Sequence, residues 1–180
     1  MGGALAVKAA ALARPDGVVL LAPFLWLDSI WQRLLLPVVP RILPAHIRPF
    51  RGINFSNPYA RSSIKTVISQ VDIENHNTQE ALRQLRFPLS AVLELRRAGL
   101  AASAALPELN LPTLVIQGRH DPLVRRKRTC RMLARFPSQP AYLEVDARHD
   151  LTAKDEPAWK QVRGAVLDFA KLIQAGDTPH

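Results

Sequence analysis

Leu114-Val115-Ile116-Gln117-Gly118-Arg119-His120-Asp121-Pro122 is an apolar run that ends in a turn carrying an acid. Tyr142-Leu143-Glu144-Val145 repeats the arrangement, and Arg148-His149-Asp150-Leu151 follows it with an imidazole. Gly17-Val18-Val19-Leu20-Leu21-Ala22-Pro23-Phe24 is a third run, placed upstream. Short continuous apolar runs bounded by turn residues fit strands buried on both faces, as in parallel sheets. Helical patterns lie between and after them. Strand and helix in alternation predict an α/β fold with a parallel sheet and right-handed crossovers. In such sheets ligands bind beyond the carboxyl ends of the strands, and Asp121 and His149 both fall there.

The helices read as follows. Gly3 to Ala13 is Ala-rich, with Leu5, Ala9 and Leu12 on one face, and Pro15-Asp16-Gly17 stops it. Val18 to Ala22 is the first strand. Leu111 to Gln117 is the second, with Pro112 at its first position, where no ladder donor is lost. Val124 to Phe136 is a helix, and Tyr142 to Val145 the third strand. In the last helix Pro157 fits the first turn, with Asp155 and Glu156 near the positive dipole end. Trp159, Val162, Val166, Phe169 and Ile173 then form its apolar stripe.

Residues 24 to 108 change character. Leu25 to Leu36 carry a broad apolar face, and Pro37, Pro40, Pro44 and Pro49 break any long helix. Arg51 to Tyr59 reads as loop. Helices are expected over Ser62 to Gln70, from Asn77 or Thr78 with Leu82 and Leu85 on one side, and over Ser90 to Ala105. A helical insertion between two buried strands reads as a cap over a strand-end crevice.

A chain of 180 residues with 48% hydrophobic and 22% charged content suits one globular domain with a real core. The single cysteine, Cys130, excludes an internal disulfide and suits a reducing, cytoplasmic compartment. The net charge is +9, with much of it on Arg125, Arg126, Lys127, Arg128, Arg131 and Arg135. That run reads as a solvated helix face, with a basic surface binder as the rival reading. Aromatics are 6% of the chain and do not interleave with the patch, so no nucleic-acid partner is expected. The N-terminus lacks a basic leader region, and Val18 to Leu27 is too short to span a bilayer.

An acid followed by a histidine is what a hydrolytic triad needs from its last two members. The imidazole takes the nucleophile's proton and returns it to the leaving group, while the carboxylate fixes the tautomer. Asp121 also reads as a turn aspartate capping a helix, and His149 as a loop histidine. His120 and Asp150 are neighbours that compete for the same roles. Two His-Asp pairs suggest a metal site, but no third and fourth ligands stand out, so no metal or cofactor is expected.

The opening Met1-Gly2-Gly3, the strand ending in Ala22-Pro23-Phe24, the long insertion, Gly118-x-x-Asp121-Pro122 and His149 occur in an order that resembles the α/β-hydrolase family. The resemblance is in particular to its monoacylglycerol-lipase, lysophospholipase and serine-aminopeptidase-like members. The family often has Gly before its histidine, where Arg148 stands here. The resemblance implies a partial α/β-hydrolase fold: core residues 1–24 and 109–180, and a helical cap over 25–108. It implies Asp121 as acid and His149 as base. Met1 and Gly2 then end a G-x-S-x-G elbow whose serine precedes Met1. Met1 takes the first oxyanion position, where a terminal amine cannot replace a peptide N–H. Phe24, Leu25, Trp26 and Trp31 are expected to line an acyl pocket. The implied substrate is a small-molecule, lipid-like acyl ester, with contact to a membrane surface. A fragment of this kind is expected to be inactive, with Val18–Ala22 as an exposed edge through which it self-associates. A binding protein that keeps the fold and drops catalysis is the alternative.

Overall fold

A computed structural model describes residues 2–25, 44–67, 72–154 and 157–176. In chain order the elements are α1 (Gly2–Ala13), β1 (Val18–Leu21), β2 (His46–Ile47), α2 (Pro58–Val67) and α3 (His76–Gln84). They continue with β3 (Phe87–Pro88), α4 (Leu89–Ala105), β4 (Thr113–Gly118), α5 (Arg126–Leu133), β5 (Ala141–Val145) and α6 (Trp159–Gln174). The chain divides into two compact units, Met1–Asp28 with Arg96–His180 and Ser29–Leu95.

The first unit is built on a parallel sheet of order β1-β4-β5. Every residue of β4 is buried, as a central strand covered on both faces requires. Its side chains alternate between two cores. Val115 joins Leu20, Ala4, Val7, Ala10, Leu106 and Met132 on one face. Leu114 and Ile116 join Val145, Val162 and Phe169 of α6 on the other. Ala102, Ala105 and Leu106, from the segment read as cap, pack in the first of these cores. The apolar runs therefore mark the strands because each must satisfy two faces.

Several boundaries differ from the sequence reading. In α1 the packed face is Ala4, Val7 and Ala10, while Leu5 and Leu12 are exposed at 55% and 79%. Close approach favours the small residues: a Cβ on Gly3 would lie 3.0 Å from Pro23 Cα. β1 ends at Leu21, because Ala22 turns the chain with φ of 41°. Pro112 stays outside β4 and its carbonyl accepts from Val18 N–H at 2.9 Å. α5 begins at Arg126 and ends at Leu133, shorter than the predicted helix at both ends. Residues 134–136 close it with tightened turns, Arg135 N–H to Met132 O and Phe136 N–H to Leu133 O. α6 starts at Trp159, two residues after Pro157, and Val162 and Phe169 are buried on its stripe. Asp155 and Glu156 lie outside the described residues.

The second unit holds α2, which begins at Pro58 rather than Ser62; residues 68–70 lie outside the described set. Asn75 caps α3 by accepting from Asn77 N–H at 2.9 Å. Leu82 is buried with Phe55, Ile64 and Ile73, and Leu85 is exposed at 37%. A short antiparallel ladder pairs Ile47 with Phe87 and His46 with Pro88, a pairing the sequence reading did not anticipate.

Candidate active site

Two turns, one after β4 and one after β5, are zipped together by main-chain hydrogen bonds. Arg119 N–H donates to Val145 O at 2.8 Å and His120 N–H to Ala147 O at 3.0 Å. Gly118 makes the approach possible. A Cβ there would fall 2.1 Å from Arg148 O and 2.6 Å from Ala147 O. Only a residue without a side chain lets the second turn lie on the first.

This apposition brings Asp121 and His149, 28 residues apart, into contact: Nδ1 of His149 lies 2.7 Å from Oδ2 of Asp121. The Asp121 side chain is fully buried, and that of His149 is 34% exposed. The other carboxylate oxygen, Oδ1, accepts from Leu123 N–H and Val124 N–H, each at 2.8 Å. The turn-capping reading and the acid reading of Asp121 thus describe one residue using its two oxygens for two tasks.

Burial pushes the Asp121 carboxyl up, but the hydrogen bonds from His149, Val124 and Leu123 outweigh it and hold it below the usual range. The hydrogen bond to Asp121 raises His149 above the ordinary imidazole value; burial opposes, and the charges of Asp121 and Asp150 assist. An ionised carboxylate only accepts, so the Nδ1 proton belongs to His149 and the lone pair of the neutral ring sits on Nε2. Nε2 has no partner among the described residues. It is the basic atom the pair offers to a reactant.

The sequence reading missed the scaffold beneath. Gln117 is 1% exposed, and its amide donates to Val124 O while its Oε1 accepts from the Thr129 hydroxyl. The turn bearing Asp121 is thereby tied to both β4 and α5. The available signal was a lone Gln in an otherwise apolar strand, since a buried amide needs partners.

His120 does not join the pair. Its Nε2 lies 2.8 Å from Asp146 Oδ1, with both side chains exposed. Asp150 accepts from the Thr152 main-chain and hydroxyl groups. Leu25 is packed in the core with Ala4, Val7 and Leu20, and Phe24 is half-buried beside Gly3. Met1, Trp26 and Trp31 lie outside the described residues. Among the described residues no group of three His, Cys, Asp or Glu converges, and no helix is long and apolar enough to cross a membrane.

The family profile described as serine aminopeptidase, S33, matches residues 1–156. Solved structures share the fold at low identity. The monoacylglycerol lipase of Paleococcus ferrophilus aligns with a TM-score of 0.56 and 15% identity, over 96% of this chain and 65% of that one. A soluble variant of the monoglyceride lipase of Saccharomyces cerevisiae aligns with a TM-score of 0.60 and 12% identity, over 95% and 62%. A thermophilic esterase from Thermogutta terrifontis aligns with a TM-score of 0.51 and 22% identity, over 96% and 62%. No curated protein sequence matches the chain. The chain thus spans just under two thirds of the length of these structures.

Proposed function

Because the chain belongs to the serine aminopeptidase S33 family of α/β-hydrolases, we propose that Asp121 and His149 are the acid and base of a serine-hydrolase site for carboxylic, lipid-like acyl esters. The observation that supports this reading is the 2.7 Å contact of a buried Asp121 with His149, whose Nε2 is left open. In the reaction Nε2 takes the serine proton as the hydroxyl attacks the ester carbonyl, then returns it to the leaving alkoxide. Asp121 stabilises the imidazolium formed in between and keeps the ring turned. The lipid-like substrate rests on the fold shared with lipases of monoacylglycerols and on the apolar segment from Leu25 to Leu43, read as part of a cap over residues 25–108.

The nucleophile is the remaining part. Among the described residues no hydroxyl or thiol bonds His149. Ser103 is buried and accepts from Arg135, while Ser56, Ser90 and Ser138 are exposed in other places. The proposal therefore draws the serine from a G-x-S segment ahead of Met1, with the Met1 peptide N–H as oxyanion donor. Residues 1–180 alone should leave short-chain p-nitrophenyl esters intact, and a longer reading frame with Gly-x-Ser joined to Met1 should hydrolyse them. Turnover by the 180-residue chain that vanishes in His149→Ala would show that the nucleophile lies within it instead.

β1 is an outer strand of the described sheet, so the proposal keeps self-association through its free edge. A cooperative melt from a soluble monomer of these 180 residues would end that part.

A further inference from the structure

We propose that the second unit carries a binding site for a phosphate oxyanion, in a cleft of about 450 Å³ walled by Arg48, Arg51, Arg83 and Arg86. This site is separate from the Asp121–His149 pair and does not depend on it. Arg48 follows β2 directly and Arg86 precedes β3 directly. Since Ile47 pairs with Phe87, the two arginines flank the same end of the ladder. Like charges facing across a strand pair repel and destabilise it. The chain then turns back, with Arg51 N–H donating to Arg48 O at 3.3 Å, and adds a third guanidinium to the same wall.

The rest of the described lining comes from α3, which presents Glu80, Arg83 and Gln84 at helical neighbour spacing. Arg83 is held by its neighbours: its guanidinium carbon sits 4.9 Å from the centroid of the Phe55 ring, and one nitrogen reaches Glu80 at 3.5 Å. Glu80 also accepts from Gln84 at 3.0 Å, so the one carboxylate among the described lining residues is engaged with its own helix. Arg48, Arg51 and Arg86 are exposed and form no ion pair among the described residues. Three guanidiniums without an ion pair among the described residues converge on one cavity.

A guanidinium is a rigid fork of donors that matches a phosphate oxygen pair, and a phosphate has oxygens enough for several forks. An anion seated between the arginines converts their mutual repulsion into shared attraction. The cavity lies within the roughly 300–1,000 Å³ range of small-ligand sites. No aromatic side chain lines it among the described residues, which argues against a stacking platform for bases. A second cleft of about 590 Å³ shares Arg48, Arg51 and Arg86 and adds Pro44, Ala45, His46 and Ile47, a strip that is apolar apart from the imidazole. The phosphate could thus belong to a free ester or to a lipid headgroup.

The test titrates inorganic phosphate into the full chain by calorimetry at low salt. In parallel it co-sediments the chain with phosphatidylcholine vesicles with and without phosphatidic acid. Two variants carry the comparison: Arg48→Gln/Arg51→Gln/Arg86→Gln, and a charge-matched control on the other unit, Arg125→Gln/Lys127→Gln/Arg128→Gln. Saturable phosphate binding that weakens at least about tenfold in the cleft variant and holds in the control supports the site with a free phosphate. The same dependence seen only with phosphatidic acid vesicles supports it with a lipid headgroup. Equal losses in both variants would mean diffuse charge attraction and overturn the proposal, as would no binding in either assay. If the triple variant loses its far-UV signal, the single Arg51→Gln variant, which alters neither strand, is used in its place.

Discussion

Asp121→Asn should lower kcat by about 10⁴-fold in a polypeptide that joins these residues to the proposed serine. The side chain keeps its shape, and one oxygen still accepts from Leu123 and Val124 N–H. The group facing Nδ1 of His149 then becomes an amide NH₂, which donates. The imidazole answers by moving its proton to Nε2, the wrong nitrogen for a base. Removing the negative charge also removes the largest influence holding the imidazole pKa up and leaves only the Asp150 charge to oppose the burial that lowers it. Catalysis needs neutral His149, so the residual activity of the variant should begin at lower pH than that of the parent.

Stability follows the same pair with two signs. His149 is raised in the folded state, so its contribution is complete below the unfolded value of about 6.5 and is lost as pH rises through the folded one. Asp121 is lowered, so its contribution is complete above about 3.9 and is lost as pH falls through its folded value. Between these limits the pair stabilises most, and there the Asn variant should fall furthest below the parent. Steady-state kinetics and melts across this pH range check both halves. A variant within tenfold of the parent in kcat would remove Asp121 from the mechanism.

The parts of this architecture that were legible in sequence are those set by local composition. A strand packed on both faces is mostly apolar, so the β1, β4 and β5 runs stand out without any partner being known, with Gln117 and Glu144 as polar exceptions. The same holds for Asp121 and His149, because a parallel sheet puts its strand-end turns on one rim. What stayed hidden depends on contacts across the chain. In α1, leucines outweigh alanines in any count of hydrophobicity, yet it is Ala4, Val7 and Ala10 that join the core with Leu20, Leu106 and Val115. The β2–β3 ladder joins dipeptides 40 positions apart, from Ile47 to Phe87, and two residues carry no period to read. Gln117 and Thr129 look like ordinary polar positions until the fold closes and each becomes the other's partner.

Gly118 belongs to this hidden class, and it carries the second large effect. In sequence it is a turn glycine among others. In the fold its missing side chain is the space occupied by the Ala147 and Arg148 carbonyls. Gly118→Ala places a methyl group where backbone, not a movable side-chain tip, already stands. The turn after β5 must retreat, breaking the Arg119-to-Val145 and His120-to-Ala147 hydrogen bonds and drawing His149 away from Asp121. Overpacking against a fixed wall costs about 3 kcal/mol, which lowers Tm by roughly 6–12 °C in a chain of this size. Gly52→Ala is the matched control, since a Cβ there meets nothing within 4 Å, and it should stay within about 0.5 kcal/mol of the parent. The imidazole resonance of His149 separates the two consequences. Its titration should drop toward the free value in Gly118→Ala and stay raised in Gly52→Ala. A Gly118→Ala chain that melts with the parent and keeps a raised imidazole pKa would mean that the two turns do not meet as described, and the base would have to be positioned by something else.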